Sequence, residues 1–359
     1  MASEGRDVVH ASAHGRVNLM GDHTDYNAGF VLPMLIPQST QVLLRPRTDR
    51  TVNASSTAMP AIESYRLGDE ARRGSWVDYL QGVTYALRVH GSDVSGFDVN
   101  IDSNVPAGAG LSSSAALEVS LLRALREAFA LDLDDVQLAR LGRAAETDFI
   151  GVPIGIMDQM VASVGKPNRA LFIDTRSLET ASVSIPSELE VAVIDSGIAH
   201  DHSQNEYRER REDCERAARA LGLDSLRDFA PADEPRAAEL DERLRRRLRH
   251  VLTENARVRQ LINAFEQADL DAIRSIFAES HSSLRDDYEV STPEIDRLVQ
   301  LASASPDVIG ARLTGGGFGG SVVLLACRGA ARSAAERIAR DYPSVSVKQP
   351  RVLLPLESG

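Results

Sequence analysis

The spacing of apolar positions changes along the chain, and each change predicts an element. Trp76–Val89, WVDYLQGVTYALRV, places Val77, Leu80, Val83, Tyr85 and Leu87 at the period of a helix with one inward face. Residues 112–129 and 135–149 carry the same period. Phe97–Ile101 alternates as a strand, and 42–44, 170–173 and 189–194 are short apolar runs of strand type. Residues 16–48 read as strands joined by the turn-rich loop HTDYNAG. The second half is dominated by charged amphipathic helices over 206–221, 239–266 and 269–284. A glycine loop feeds a strand over 313–326, a helix follows over 330–340, and 345–354 supplies a late strand or two. This order is not βαβ repetition, and no strand is followed by GxGxxG at the expected range. The expectation is two α+β domains, 1–196 and 197–359, with a cleft between them.

Composition narrows the function. A chain of 359 residues is long enough for two domains. A net charge of −12 argues against a nucleic-acid binder, since phosphate backbones call for a positive footprint. The two cysteines, Cys214 and Cys327, predict neither a disulfide framework nor a metal cluster. No apolar signal core opens the chain and no run reaches membrane-spanning length, so a soluble, cytoplasmic protein is expected. Lysine occurs only at Lys166 and Lys348, which excludes the lysine-bearing GxxxxGK[ST] loop. The arginine-rich runs RERRE and RRRLRH alternate with acids and predict a solvated, salt-bridged face. His281 has no partner at zinc-ligand spacing and is expected to be structural.

Three glycine-rich segments carry the chemistry: GRVNLMGDHTDYNAGFVLP over 15–33, PAGAGLSSSAALEV over 106–119 and GARLTGGGFGG over 310–320. In the second, Gly108 and Gly110 permit backbone angles closed to other residues. Ser112–Ser114 then open a helix whose first N–H groups form an anion site. Serine hydroxyls can donate to phosphate or ligate Mg²⁺, and the small Ala115 and Ala116 allow close approach.

In these segments, together with AETDFIGVPIGIMDQ, EYRERREDC, RLRHVLTEN and SHSSLRDDYEVSTPEID, the chain closely resembles the galactokinases of the GHMP small-molecule kinases, over nearly its whole length. The resemblance implies a ribosomal-protein-S5-like N-terminal domain and a ferredoxin-like C-terminal domain, with the active site between them. It implies transfer of the ATP γ-phosphoryl group to the C1 hydroxyl of α-D-galactose. By resemblance Asp158 is the catalytic base and Arg16 its cationic partner, which lowers and orients the carboxylate. Sugar contacts fall to Asp22, His23, Asp25, Gly155, Asp158 and Tyr207. Phosphate contacts fall to Gly108, Ala109, Gly110, Leu111, Ser112, Ser113, Ser114 and Ala115, and Mg²⁺ ligands to Ser114 and Glu146, with Asp148 as a substitute for the latter. The Gly315–Gly317 turn is expected to support the site, with Phe318 as its anchor.

Two positions depart from the family. Asp22 stands where glutamate is usual, and His14 where proline is usual. The first leaves open a related sugar-1-kinase with altered hexose or pentose preference. A catalytically weak ATP- and sugar-binding sensor is the third reading, disfavoured because Arg16, Ser114, Glu146 and Asp158 are all kept. Homoserine and mevalonate kinases are disfavoured by the sugar-like GDHTDYN. The expected partners are ATP and the sugar, and the expected assembly is a monomer or weak homodimer.

Overall fold

The computed structural model describes residues 8–199, 203–342 and 349–354. In chain order the strands are β1 (Val9–Asn18), β2 (Phe30–Val31), β3 (Pro33–Pro46), β4 (Thr51–Ser56), β5 (Met59–Arg66), β6 (Phe97–Ser103), β7 (Ala170–Asp174), β8 (Thr180–Val183), β9 (Leu189–Ala199), β10 (Val308–Thr314), β11 (Gly319–Cys327) and β12 (Arg351–Leu354). The helices are α1 (Val77–His90), α2 (Ser113–Ala128), α3 (Asp135–Ala144), α4 (Met157–Val164), α5 (Ser203–Leu221), α6 (Glu234–Ala237), α7 (Glu242–Gln267), α8 (Leu270–Asp286), α9 (Pro293–Ser303) and α10 (Ala331–Asp341). The chain forms two compact units, each discontinuous in sequence. One takes Met1–Arg16, Leu35–Ala107 and Leu111–Gly165; the other takes Val17–Met34, Gly108–Gly110 and Lys166–Gly359. A single cut at 196/197 falls inside β9.

In the first unit β6 lies between β3 and β4. It is antiparallel to β3 (Val42↔Ile101) and parallel to β4 (Val52↔Phe97). β5 pairs antiparallel with β4, and β1 also pairs with β3. Alternation along the strands sends Val42, Leu44, Val52, Ala54, Phe97, Val99 and Ile101 into one core with Leu80, Val83 and Leu87 of α1 and Leu121, Leu122 and Leu125 of α2. Each buried Val, Leu, Ile or Phe among them contributes about 1.5–3 kcal/mol of transfer free energy. Asp134 and Gln137 start α3 with a reciprocal capping box. The helix expected to run to 149 does not stay α: it passes into a wider π-type turn over Ala145–Ile150, which carries Glu146.

In the second unit the sheet order is β10-β11-β9-β12, all antiparallel. Its core joins Ala192, Ile194, Val322 and Leu324 to apolar residues of α5, α7, α9 and α10. α8 lies so close to β10 that a Cβ on Gly310 would come 2.7 Å from the Phe277 ring. β2 and β8 both pair with β7. The expected salt-bridged face exists, but part of it is buried: Arg247, 1% exposed, pairs with Asp213 and Glu289. His281 pairs with Asp296 at 3.1 Å.

The hairpin β4–β5, strand β8 and helix α9 have no counterpart in the hydrophobic pattern. α9 does carry a start signal, Thr292 capping the Ile295 amide with Pro293 in the first turn. Of the late strand expected over 345–354, residues 345–348 lie outside the described residues, and β12 occupies Arg351–Leu354. Among the described residues no helix is long and apolar enough to cross a membrane. Both cysteines are free thiols.

Candidate active site

In the first unit Arg16 sits near the end of the β1 stretch and Asp158 in the first turn of α4. The guanidinium grips the carboxylate with both arms, Nε to Oδ1 at 2.8 Å and Nη2 to Oδ2 at 2.7 Å. A planar fork on a planar acceptor fixes direction as well as charge. The Arg16 amide donates to the Leu111 carbonyl at 3.1 Å, tying this strand to the start of the serine loop. Ser112 Oγ donates to Asp158 Oδ2 at 2.5 Å. The Asp158 side chain is 27% exposed, so its carboxylate is held without being sealed off. Gly155 is buried in the segment leading into α4.

Ser112 has left-handed backbone (φ 61), and its side chain makes no cap to the helix. α2 therefore begins at Ser113 rather than at Ser112, and the Ser112 hydroxyl serves Asp158. With no side-chain cap at its start, α2 leaves first-turn N–H groups available to an anion. Ala115 is fully buried. Ser113 and Ser114 are half-buried in the first turn.

Behind Asp158 lies a buried carboxylate pair that sequence reasoning half missed. Gln159 Nε2 donates to Glu146 Oε1 at 3.0 Å and to Glu118 Oε2 at 3.1 Å. Burial pushes Glu146 up to about 7, with the Asp158 charge adding to it and a hydrogen bond from Ser114 opposing. Burial raises Glu118 well above the usual carboxylate range, and the Glu146 charge raises it further. Glu118 Oε1 and Gln159 Oε1 have no hydrogen-bond partner. The two carboxyls are hydrogen-bonded to one another and Glu146 to Ser114, and these oxygen donors are of the kind that a hard cation takes. No group of three or more His, Cys, Asp or Glu suited to a metal occurs among the described residues. Asp148 instead bonds to its neighbour Thr147. The sequence signal for Glu118 was its place one turn after Ser114 on α2.

In the second unit the loop after β1 is built over a buried ionic cluster. Asp22 is 1% exposed. Its Oδ1 accepts from Asn18 Nδ2 (3.0 Å) and the Gly315 amide (3.1 Å), and its Oδ2 from Arg312 Nη2 (2.5 Å). Arg312 also donates to the Leu19 carbonyl and lies 3.6 Å from Glu254. Glu254 accepts from the Gly21 amide, Ser280 and Arg257. The expectation that Asp22 presents its carboxylate to a hydroxyl thus meets a carboxylate already engaged by three donors and sunk into the fold.

Beside it, His23 has left-handed backbone (φ 66) and is 5% exposed. Its Nδ1 lies 2.8 Å from the Tyr26 hydroxyl, and its ring packs among those of Tyr26, Tyr207 and Tyr288. Its Nε2 closes no hydrogen bond, although the Gly316 backbone is near enough to favour the charged ring. Burial outweighs that and holds the ring well below 6.5, so it is neutral near pH 7. Asp25, half-buried, accepts from the Tyr26 amide, and its own carbonyl accepts from Thr175. Tyr207, on α5, has its ring 5.5 Å from that of His23.

Gly108 (φ 75) and Gly110 (φ 73) use backbone angles that glycine favours. Ser321 Oγ donates to the Ala109 carbonyl at 2.8 Å, and the turn at Gly315 packs on Gly110. Phe318, 8% exposed, donates its amide to the Val290 carbonyl at 2.7 Å and anchors the glycine turn as expected.

Comparison with known proteins meets the same segments. The galactokinase galactose-binding signature matches residues 2–46, the GHMP kinase N-terminal domain 78–166 and the GHMP kinase C-terminal domain 261–344. A galactokinase of Streptomyces coelicolor is 41% identical over 350 residues, covering 95% of this chain and 90% of that protein. The crystal structure of Lactococcus lactis galactokinase complexed with galactose is similar at a TM-score of 0.92 and 29% identity, covering 97% and 93% of the two chains. Methanococcus jannaschii mevalonate kinase shares the fold at a TM-score of 0.68 and 16% identity, with 98% of each chain covered.

Proposed function

The chain belongs to the galactokinases of the GHMP kinase family, and from that premise we propose that it transfers the γ-phosphoryl group of ATP to the C1 hydroxyl of α-D-galactose, giving galactose 1-phosphate and ADP. The observation that carries the reading is the Arg16–Asp158 pair with Ser112 on the same carboxylate. A carboxylate so held accepts the C1 hydroxyl proton as negative charge develops on that oxygen. Arg16 keeps the Asp158 carboxylate aimed, and its charge stands beside the oxygen on which negative charge develops. Positioning and electrostatics supply more of the rate than basicity does, as is general for phosphoryl transfer.

The uncapped α2 start and the loop Gly108–Ala115 are assigned to the nucleotide phosphates. Ser114 and Glu146 would hold Mg²⁺, with Glu118 and Gln159 fixing the Glu146 carboxylate. Bound there, the ion would neutralise phosphate charge. His23, Asp25, Gly155 and Tyr207 are assigned to the sugar. Asp22 is assigned to holding the His23 loop, because it is buried and accepts from Asn18, Arg312 and the Gly315 amide.

The test is a phosphorylation panel of galactose, 2-deoxygalactose, galactosamine, N-acetylgalactosamine, glucose, arabinose and talose, with product positions read by NMR. Galactose 1-phosphate as the favoured product is expected. A tenfold preference for another sugar would move the chain to a related sugar-1-kinase. No phosphosugar from folded, ATP-binding protein would leave a sensor.

A further inference from the structure

The RLRHVLTEN motif falls on α7, and one face of that helix is bonded to the backbone of the loop 21–30. Glu254 Oε1 accepts from the Gly21 amide at 3.0 Å, His250 Nε2 bonds to the Asp22 carbonyl at 3.1 Å, and Asn255 Oδ1 accepts from the Phe30 amide at 2.7 Å. The fit is close. A Cβ on Gly21 would lie 3.0 Å from the Val258 side chain, and one on Gly29 would lie 2.5 Å from Asn255 Oδ1. The loop is thus gripped at its entry and its exit, through backbone atoms rather than through its side chains. All of these residues belong to the second unit.

One of the three bonds acts next to His23. The Asp22 carbonyl and the His23 amide share one rigid peptide plane, so the bond from His250 fixes the plane from which His23 departs. On the other side, the His23 carbonyl accepts from Asn27 Nδ2 at 2.9 Å. Between these two held planes His23 adopts φ 66, a left-handed conformation uncommon for a residue with a side chain and kept where the surroundings over-determine it. A carbonyl only accepts, so His250 donates from Nε2. Burial holds the His250 ring neutral near pH 7, down to about 4, and its single proton is therefore committed to this bond. His250 is fully buried, with Nδ1 3.0 Å from Ser283 Oγ and its ring 4.3 Å from that of Tyr288. So enclosed, it reaches a substrate only through the loop.

We propose that His250 is a positioning residue for the sugar: by pinning the Asp22–His23 peptide it holds His23 in the left-handed conformation in which the His23 ring meets the substrate. Glu254 and Asn255 fix the two ends of the same loop. Loss of the His250 bond frees the peptide plane, residue 23 relaxes to negative φ, and the ring leaves its place. The Arg16–Asp158 pair keeps its own bonds, so the cost falls on sugar binding rather than on turnover. The substrate half of this statement rests on the assignment of His23 to the sugar.

The experiment compares His250→Leu, which keeps an apolar body and loses the donor, with His250→Gln, whose amide N–H replaces that of Nε2. Both are read by galactose and ATP kinetics and by sugar-free crystal structures. His250→Leu is expected to bring residue 23 to negative φ and to raise KM for galactose about five- to tenfold, the scale of one hydrogen bond, with kcat and KM for ATP within about twofold. His250→Gln is expected to keep both the left-handed residue 23 and the wild-type KM. A double-mutant cycle with His23→Ala isolates the route: once the ring is gone, His250→Leu is expected to add less than about twofold to KM. Should His250→Leu not fold, Asn27→Ala releases the His23 carbonyl from the other side and is read in the same way. A residue 23 that stays left-handed in these variants, or an equal rise in KM with and without the His23 ring, overturns the proposal. A residue 23 that leaves the left-handed region while KM for galactose is unchanged upholds the hold of His250 on His23 and overturns the assignment of His23 to the sugar.

Discussion

Asp22 and Arg312, 290 residues apart, meet at 2.5 Å with side chains 2% and 0% exposed. The sequence offered Asp22 as a sugar contact; the fold uses it to neutralise a buried arginine and to hold the Gly315 amide. Removing one partner of a buried pair leaves the other uncompensated, which costs about 3–5 kcal/mol. Asp22→Ala is therefore expected to lower unfolding free energy by that amount in urea titrations, with sugar-free and sugar-bound protein affected alike. A loss confined to galactose affinity would return Asp22 to the sugar.

Asp158→Asn keeps shape and removes charge. The prediction is a fall in kcat of roughly 10²-fold or more, the usual range for a positioned proton-transfer group, with folding little changed. Arg16→Ala should lower kcat as well, because Asp158 then keeps only Ser112 of these two partners. Single-turnover kinetics separate this from slow product release. Near-wild-type turnover in Asp158→Asn would reject the assignment.

Most of the longer helices were legible because their apolar period is strong: 76–89 predicts α1 within a residue at each end, whereas α4, α6 and α9 had no counterpart in the pattern. The β4–β5 hairpin was not, since TVNASS and MPAIESYR are thinly apolar strands with one face in water, and Ile62 is 70% exposed. Nor could one linear cut describe units that exchange segments such as 17–34 and 108–110. At the candidate site, Asp158, Arg16 and the serine loop were readable as a set. The engagement of Asp22 was not, because its partner Arg312 looked like one arginine among many, and nothing in the sequence says that a carboxylate is buried. Glu118 hid for the same reason: on paper it is a helix glutamate, and burial alone makes it unusual.

The glycine turn after β10 separates two costs. Gly317 combines φ 82 with a position where a Cβ would lie 2.5 Å from the Val290 carbonyl oxygen, the same oxygen that accepts the Phe318 amide. Gly108 has φ 75 but open space around it. Gly108→Ala should cost about 1 kcal/mol, the strain of a left-handed alanine. Gly317→Ala should cost about 3 kcal/mol or more, since backbone must move as well. Thermal unfolding of the two variants compares them directly; equal losses would mean that the Val290 contact yields without resistance.

His250 predicts the acid side of the stability curve. Its ring is fully buried, bonded to Ser283 and to the Asp22 carbonyl, and burial holds it down to about 4. In the unfolded chain it would ionise near 6.5. Above that value both states are neutral and the group adds no pH dependence. Between about 6.5 and 4 the unfolded chain binds a proton that the folded one refuses, so stability falls as pH falls, by about 3 kcal/mol across the window. His23, also held well below 6.5, acts in the same direction, so wild type should lose stability steeply there. Glu254, held near 2 mainly by Arg257 and Arg312 against its burial, extends the loss below about 4.5. His250→Gln removes one of the two imidazoles from this balance. Its unfolding free energy should be lower at pH 7, where two hydrogen bonds are altered, yet decline more gently from pH 6 to 5, by up to about 1.4 kcal/mol per pH unit relative to wild type. Urea titrations at closely spaced pH values measure both slopes. Parallel slopes in the two proteins would show that His250 takes up its proton without unfolding.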